Sequence, residues 1–211
     1  PLSENDGFCM NFGLRDLSPA LALDTERNLT KFNPIPATTA MLPIDVQMTT
    51  PDVAVANLVR ASMGMPALEE PENGWPVAIL VHGITSTKEQ MLPITGILAI
   101  NGIATIAIDQ PLHGSRGFDL NGDGVDDINT STVSTLHYVN LQSMLTMRDN
   151  TRQSTADLLG LRLGMNFLGG VDNDGMPIKI DSSKVHLLGH SLGGIYGINA
   201  VSLANTGLRP E

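Results

Sequence analysis

Gly189-His190-Ser191-Leu192-Gly193 is a G-x-S-x-G pentapeptide placed between an apolar run, Val185-His186-Leu187-Leu188, and a small-residue run from Leu192 to about Asn205. The first run reads as a buried strand and the second as a helix. In that context the spacing predicts a serine on a sharp, strained turn with its hydroxyl exposed for attack. Glycines flank it because a Cβ at either position would collide with the neighbouring strand or helix. A serine presented this way suits acyl chemistry. That chemistry also needs a base, an acid to orient the base, and amide donors for the oxyanion.

The donors can be named. One is the backbone N–H of the residue after the nucleophile, Leu192, and the second comes from the turn after an early strand. His82-Gly83-Ile84 ends such a strand, which makes the Ile84 N–H the second candidate, with Gly83 letting the backbone approach the substrate carbonyl. His82, Gly83 and His190 are therefore expected to shape the site. Asp109-Gln110-Pro111-Leu112-His113-Gly114-Ser115-Arg116 follows the next strand and reads as a second site-shaping loop. His186 and His190 are expected to pack or hydrogen-bond rather than act as a base.

Asp119-Leu120-Asn121-Gly122-Asp123-Gly124-Val125-Asp126-Asp127 places oxygen ligands at alternate positions with glycine at the sixth, the start of a calcium loop. Asp119, Asn121 and Asp123 would bind through side chains, Val125 through its carbonyl, and Asp127 directly or through water. Position twelve is Thr130, not glutamate, so the loop departs from an EF-hand; a plain acidic turn is the alternative. Asp172-Asn173-Asp174-Gly175 is a weaker echo that reads as a turn. Catalysis itself calls for no cofactor.

These parts must be held by a scaffold, and 211 residues suffice for one domain with a sizeable core. Twelve basic against 22 acidic residues, a formal charge of −10, argue against nucleic acid and against electrostatic docking on anionic lipid. The lone Cys9 cannot form an internal disulfide. Residues 1–75 read as an irregular lead-in containing an early edge strand from Ile44 to Met48. From Pro76 the chain alternates strands and helices, which predicts a parallel sheet covered on both faces. Val77–Val81 and Ile103–Ile108 are the buried strands. Thr87–Asn101 is a helix with Thr85–Thr87 available as caps and Gly102 as a stop. A second helix runs from Thr151 to about Leu168, with Leu158, Leu159, Leu161, Leu163, Met165 and Phe167 as its apolar face.

His82-Gly83 after Val77–Val81, the Asp109…His113-Gly114 loop, and Gly189-His190-Ser191-Leu192-Gly193-Gly194 together resemble the α/β-hydrolase superfamily over roughly 76–203. Met147-Arg148-Asp149-Asn150-Thr151-Arg152-Gln153-Ser154-Thr155-Ala156-Asp157-Leu158-Leu159-Gly160-Leu161, with the long insertion of about 117–147 before it, resembles the bacterial virulence-factor lipases and lysophospholipases. The resemblance implies hydrolysis of lipid acyl esters, export to the outside or the outer membrane of a Gram-negative cell, and peripheral lipid contact. It also implies a lid, for which Leu136–Leu145 is the candidate; an ordinary packed helix is the alternative there.

Chain order in this superfamily is serine, acid, histidine. All five histidines precede Ser191, and Glu211 is the only acid after it. The expectation is that residues 76–211 form the N-terminal part of a catalytic domain whose last βα units, with acid and histidine, lie beyond this stretch of polypeptide. Acyl transfer to an alcohol and a non-catalytic binding module of the same fold remain alternatives.

Overall fold

The computed structural model describes residues 41–171 and 175–205. The lead-in over 1–35, Cys9, the core of the Asp172–Gly175 turn and Glu211 lie outside the described residues.

β1 (Val46–Thr49) opens the described chain, followed by α1 (Val53–Ser62), β2 (Trp75–Val81), α2 (Leu92–Ile100) and β3 (Ala104–Ile108). A long irregular stretch then leads to α3 (Met144–Gly164), β4 (Ile180–Gly189) and α4 (Leu192–Asn205). The sheet order is β1-β3-β2-β4. β2 is parallel to β3 and β4, and β1 pairs antiparallel at the outer side of β3, the edge position its preceding Pro43 favours. No described helix is long and apolar enough to cross a membrane.

The continuous apolar runs become strands buried on both faces, as such runs in parallel sheets do. Val77, Ile79, Val81, Ala104 and Ile106 point to one layer, against Leu158 of α3 and Tyr196 and Ala200 of α4. Ala78, Leu80 and Ala107 point to the other, against Ile94 and Leu98 of α2. This is an α/β fold with a mostly parallel sheet and helices on both faces, as expected from the sequence.

Several elements differ from the sequence expectation. α1 falls inside the supposed irregular lead-in, where Asp52 caps it by accepting from the amides of Ala54 and Val55 at 2.9 and 3.0 Å. The Thr87–Asn101 helix divides into a 3₁₀ turn, Lys88–Met91, and α2, because Pro93 lacks the N–H that a continuous helix would require there. Thr87 makes no side-chain cap. Gly102 does stop the helix, at φ +73°, its amide bonded to the Ala99 carbonyl at 2.9 Å.

α3 begins seven residues before the expected Thr151, at Met144. Its expected apolar face divides: Leu158 and Met165 are buried, while Leu163 and Phe167 are exposed.

The candidate lid, Leu136–Leu145, is not a helix. Only a 3₁₀ turn, Thr135–His137, forms, and α3 takes up its last two residues. Tyr138 inserts fully into the core, and the Asn150 amide ties down the carbonyls of His137 and Tyr138 at 3.2 and 3.0 Å. Those contacts hold the backbone away from helical geometry.

β4 also departs from a strand buried on both faces. Val185 and Leu187 pack on the core, whereas His186 and Leu188 are exposed. They share a face with Ala78 and Leu80 by register, and among the described residues α2 covers β2 and β3 but nothing covers β4 there.

Candidate active site

The chain leaves β2 to one side to make β3 and then crosses to the other side to make β4. The crevice beyond the carboxyl ends of the strands at such a reversal is where open α/β sheets bind ligands. Ser191 after β4 and His82-Gly83 after β2 both lie there, on neighbouring strands paired through Val81 and Gly189.

Ser191 has φ +53°, is exposed, and sits between the last residue of β4 and the first of α4. A non-glycine residue in the left-handed region costs roughly 1–3 kcal/mol and persists only where its surroundings enforce it. Those surroundings are the glycines. A Cβ on Gly193 would run into the Val81 carbonyl and lie 2.5 Å from that of His82; one on Gly189 would lie 2.6 Å from the Gly193 carbonyl. The strand and helix therefore approach too closely for any side chain. Thr85 and Leu112, the other non-glycine residues at positive φ among the described residues, lie in the loops after β2 and β3, so the strain gathers at this one end of the sheet.

Gly83 backs onto the serine: a Cβ there would stand 3.1 Å from the Ser191 Cβ and 3.1 Å from the His190 carbonyl. The His190 amide donates to the Val81 carbonyl at 2.9 Å, extending the β2–β4 ladder into the turn. His190 itself is exposed. Leu192 begins α4, so its N–H is one of the free donors at a helix start. Ile84 is the first amide beyond Gly83. Among the described residues neither the Leu192 nor the Ile84 amide donates to a protein acceptor.

His82 is fully buried and built in. Its Nδ1–H donates to the Gly83 carbonyl at 2.8 Å, and its Nε2 accepts from the Gln110 amide at 2.9 Å. The two bonds select the same neutral tautomer, and burial lowers its pKa. With both nitrogens engaged it has no lone pair for a proton from serine. His113 stacks edge-on against His82 (centroids 5.0 Å) and Tyr138 (5.1 Å), donates from Nδ1 to the Pro111 carbonyl at 2.9 Å, and is pushed down to about 4 by burial. His186, like His190, is exposed. No histidine ring of the described residues is hydrogen-bonded to Ser191.

The loop after β3 is organised around a buried carboxylate whose partners the sequence did not reveal. Asp109 is fully buried and accepts from the Lys88 amide (2.8 Å), the Lys88 ammonium (2.8 Å), and the Ser115 amide and hydroxyl (3.0 and 2.9 Å). Burial pushes its carboxyl up, but the bonds from Lys88 and Ser115 outweigh this and hold it below the usual carboxylate range. Arg116 ties the loop to α3 through Asp157 at 2.7 Å and returns to the Asp109 carbonyl at 3.0 Å. Tyr138 and Tyr196 complete a buried row behind the site, the Tyr196 hydroxyl donating to the His82 carbonyl at 3.0 Å. A polar aromatic in an otherwise small, apolar helix was the only sequence signal for Tyr196.

The Asp119–Asp127 loop closes on itself. Asp119 accepts from the amides of Asn121 (3.2 Å), Gly122 (2.6 Å) and Gly124 (2.7 Å), bonds led by Gly124 that lower its pKa. Asn121 accepts from the Asp123 amide at 2.9 Å, Asp123 from that of Val125 at 2.8 Å, and Asp127 from that of Leu120 at 2.8 Å. The donor types fit calcium, but these oxygens are engaged with their own backbone. Among the described residues no three His, Cys, Asp or Glu side chains converge as a metal site would require.

No protein-family profile and no curated protein sequence matches the chain. Among solved structures it is similar to Est1E from Butyrivibrio proteoclasticus, solved with ferulic acid bound, at 15% identity and a TM-score of 0.43, over 77% of this chain and 45% of that one. It is also similar to a ferulic acid esterase from Streptomyces cinnamoneus, at 14% identity and a TM-score of 0.42, over 78% of this chain and 56% of that one. The chain thus spans about half the length of these structures.

Proposed function

We propose that this polypeptide carries the nucleophile and oxyanion side of a serine hydrolase that cleaves carboxylic esters. The observation that carries the reading is Ser191 at φ +53° with Gly83 set against it, on adjacent strands at the topological reversal. Ser191 Oγ attacks the ester carbonyl carbon while its proton passes to a base. The oxyanion so formed takes hydrogen bonds from the Leu192 and Ile84 amides, each such donor contributing roughly 3 kcal/mol in the transition state. The carbon–oxygen bond to the alcohol breaks, the base returns the proton to the leaving alcohol, and water then attacks the acyl-enzyme by the reverse sequence. In this reading the base and its orienting acid come from polypeptide other than the described residues, since His82 is committed to two hydrogen bonds and His113 is walled in behind it.

The substrate in this proposal is a lipid acyl ester, as the likeness to virulence-factor lipases implies. The exposed Leu136, Leu141 and Met144, on the segment entering α3, support an apolar partner. Turnover of p-nitrophenyl esters of rising chain length by the intact gene product tests both levels. Loss of all turnover in Ser191→Ala is expected, with preference for longer acyl chains. Turnover that survives the substitution overturns the nucleophile, and a preference for acetate overturns the lipid reading alone. For the Asp119–Asp127 loop structural Ca²⁺ belongs to the same proposal, because its carboxylates accept from the loop amides and still carry further lone pairs that a cation can take.

A further inference from the structure

Tyr196 is fully buried, and its hydroxyl has one hydrogen-bonding partner among the described residues, the His82 carbonyl at 3.0 Å. That carbonyl belongs to the His82–Gly83 peptide. The next peptide, Gly83–Ile84, is fixed through its own carbonyl, which accepts from the His82 ring at 2.8 Å and from the Ser86 amide at 3.3 Å. A trans peptide is planar, with N–H opposed to C=O. Fixing the Gly83 carbonyl therefore aims the Ile84 N–H, the amide read above as the second oxyanion donor. The ring that does so is in turn gripped by the Gln110 amide, and its backbone by Tyr196.

We infer that Tyr196 is a positioning residue: it clamps the turn after β2 to the helix that begins at the nucleophile, so that Ile84 N–H and Ser191 hold one geometry. The inference rests on the proposed ester hydrolysis. Two properties suit Tyr196 to the task. It lies on α4 itself, so any shift of that helix carries nucleophile and clamp together. Burial also pushes its hydroxyl far above the usual tyrosine range, so the donor keeps its proton at any working pH. Tyr138, the neighbouring buried tyrosine at 6.5 Å between ring centroids, bonds instead to the Ser154 hydroxyl at 2.7 Å. It supplies a control from the same cluster.

The test uses the intact gene product with a p-nitrophenyl ester and an alkyl boronic acid, which forms a tetrahedral adduct on serine. Tyr196→Phe is expected to lower kcat about tenfold to hundredfold with KM unchanged, the loss typical of sub-ångström misplacement. The boronate Ki should rise by the same factor, and Tyr138→Phe should stay within twofold of wild type in both. Tyr196→Phe with wild-type kcat, or equal losses in the two variants, overturns the clamp. A structure of the wild-type protein with boronate bound decides independently of how the variant folds. It should keep the Tyr196–His82 bond and place a boronate oxygen on the Ile84 amide; an oxygen held elsewhere contradicts the inference. Wild-type protein that neither turns over ester nor binds boronate sinks the hydrolase reading instead.

Discussion

Gly83→Ala separates the site from the fold. Gly83 does not adopt the left-handed conformation, so alanine brings no backbone strain there. The new methyl would stand 3.1 Å from the Ser191 Cβ, 3.1 Å from the His190 carbonyl and 3.2 Å from the His190 ring. Ordinary contacts of this kind begin near 3.4 Å, so the turn after β2 and the serine turn must part by a few tenths of an ångström. Such a shift strains packing modestly, by about 1 kcal/mol. It falls directly between nucleophile and oxyanion donor, however, where a displacement of about 1 Å costs about a hundredfold in rate. Gly83→Ala should therefore reduce kcat roughly tenfold or more while the melting temperature falls only a few degrees. Gly193→Ala is the contrast: its methyl would be driven into the Val81 and His82 carbonyls, with no flexible side chain to give way, and should prevent native folding. The assay is initial-rate ester hydrolysis beside thermal denaturation of the same samples. A Gly83→Ala protein with wild-type turnover, or a stable Gly193→Ala protein, refutes the reasoning.

Asp109→Asn takes the buried partner from the nearly buried Lys88 ammonium, leaving it only the exposed Glu89 carboxylate at 2.8 Å, and breaking a buried pair of this kind costs about 3 kcal/mol. Chemical denaturation should show that loss, and a change under 1 kcal/mol would contradict it. His113 and His82 both have folded pKa values below that of a free histidine, His113 at about 4, because burial disfavours their charged forms. Above about pH 6.5 neither state binds the proton and they contribute no slope. As pH falls below that, the unfolded chain takes up protons the folded one does not, so stability should drop by about 1.4 kcal/mol per pH unit for each histidine, down to the folded pKa. His113→Phe should remove one proton from this slope, and an unchanged slope would count against the assignment. Millimolar Ca²⁺ should raise the melting temperature of the wild-type protein but not of Asp119→Ala; equal responses in the two proteins would leave the loop a plain turn.

What the sequence made legible was dictated locally. Val77–Val81 and the run from Ile103 to Ile108 read as buried strands because continuous apolar runs of that length have few other uses. The G-x-S-x-G turn was readable because the glycines are there to relieve contacts with the adjoining carbonyls. Gly102 ended α2 for a different local reason, a φ of +73° that favours glycine. What stayed hidden depends on partners distant in sequence. Asp109 meets Lys88 across 21 positions and Tyr196 meets His82 across 114, and neither pairing leaves a periodic trace. α1 stayed hidden in the lead-in because only Ala56 on it is buried while Val55 and Leu58 face solvent, so its apolar residues do not mark a single core-facing stripe. Leu136–Leu145 carried a helix-like pattern that Tyr138 overrode by inserting into the core and anchoring the backbone through Asn150.

The central claim is that Ser191 is a nucleophile. Treating the intact gene product with a fluorophosphonate probe and locating the adduct by peptide mass spectrometry tests it most directly. A single phosphonyl group on the tryptic peptide containing Ser191, absent after prior denaturation and in Ser191→Ala, is the predicted result. A folded protein that stays unmodified at Ser191, or is modified at another serine, contradicts the account.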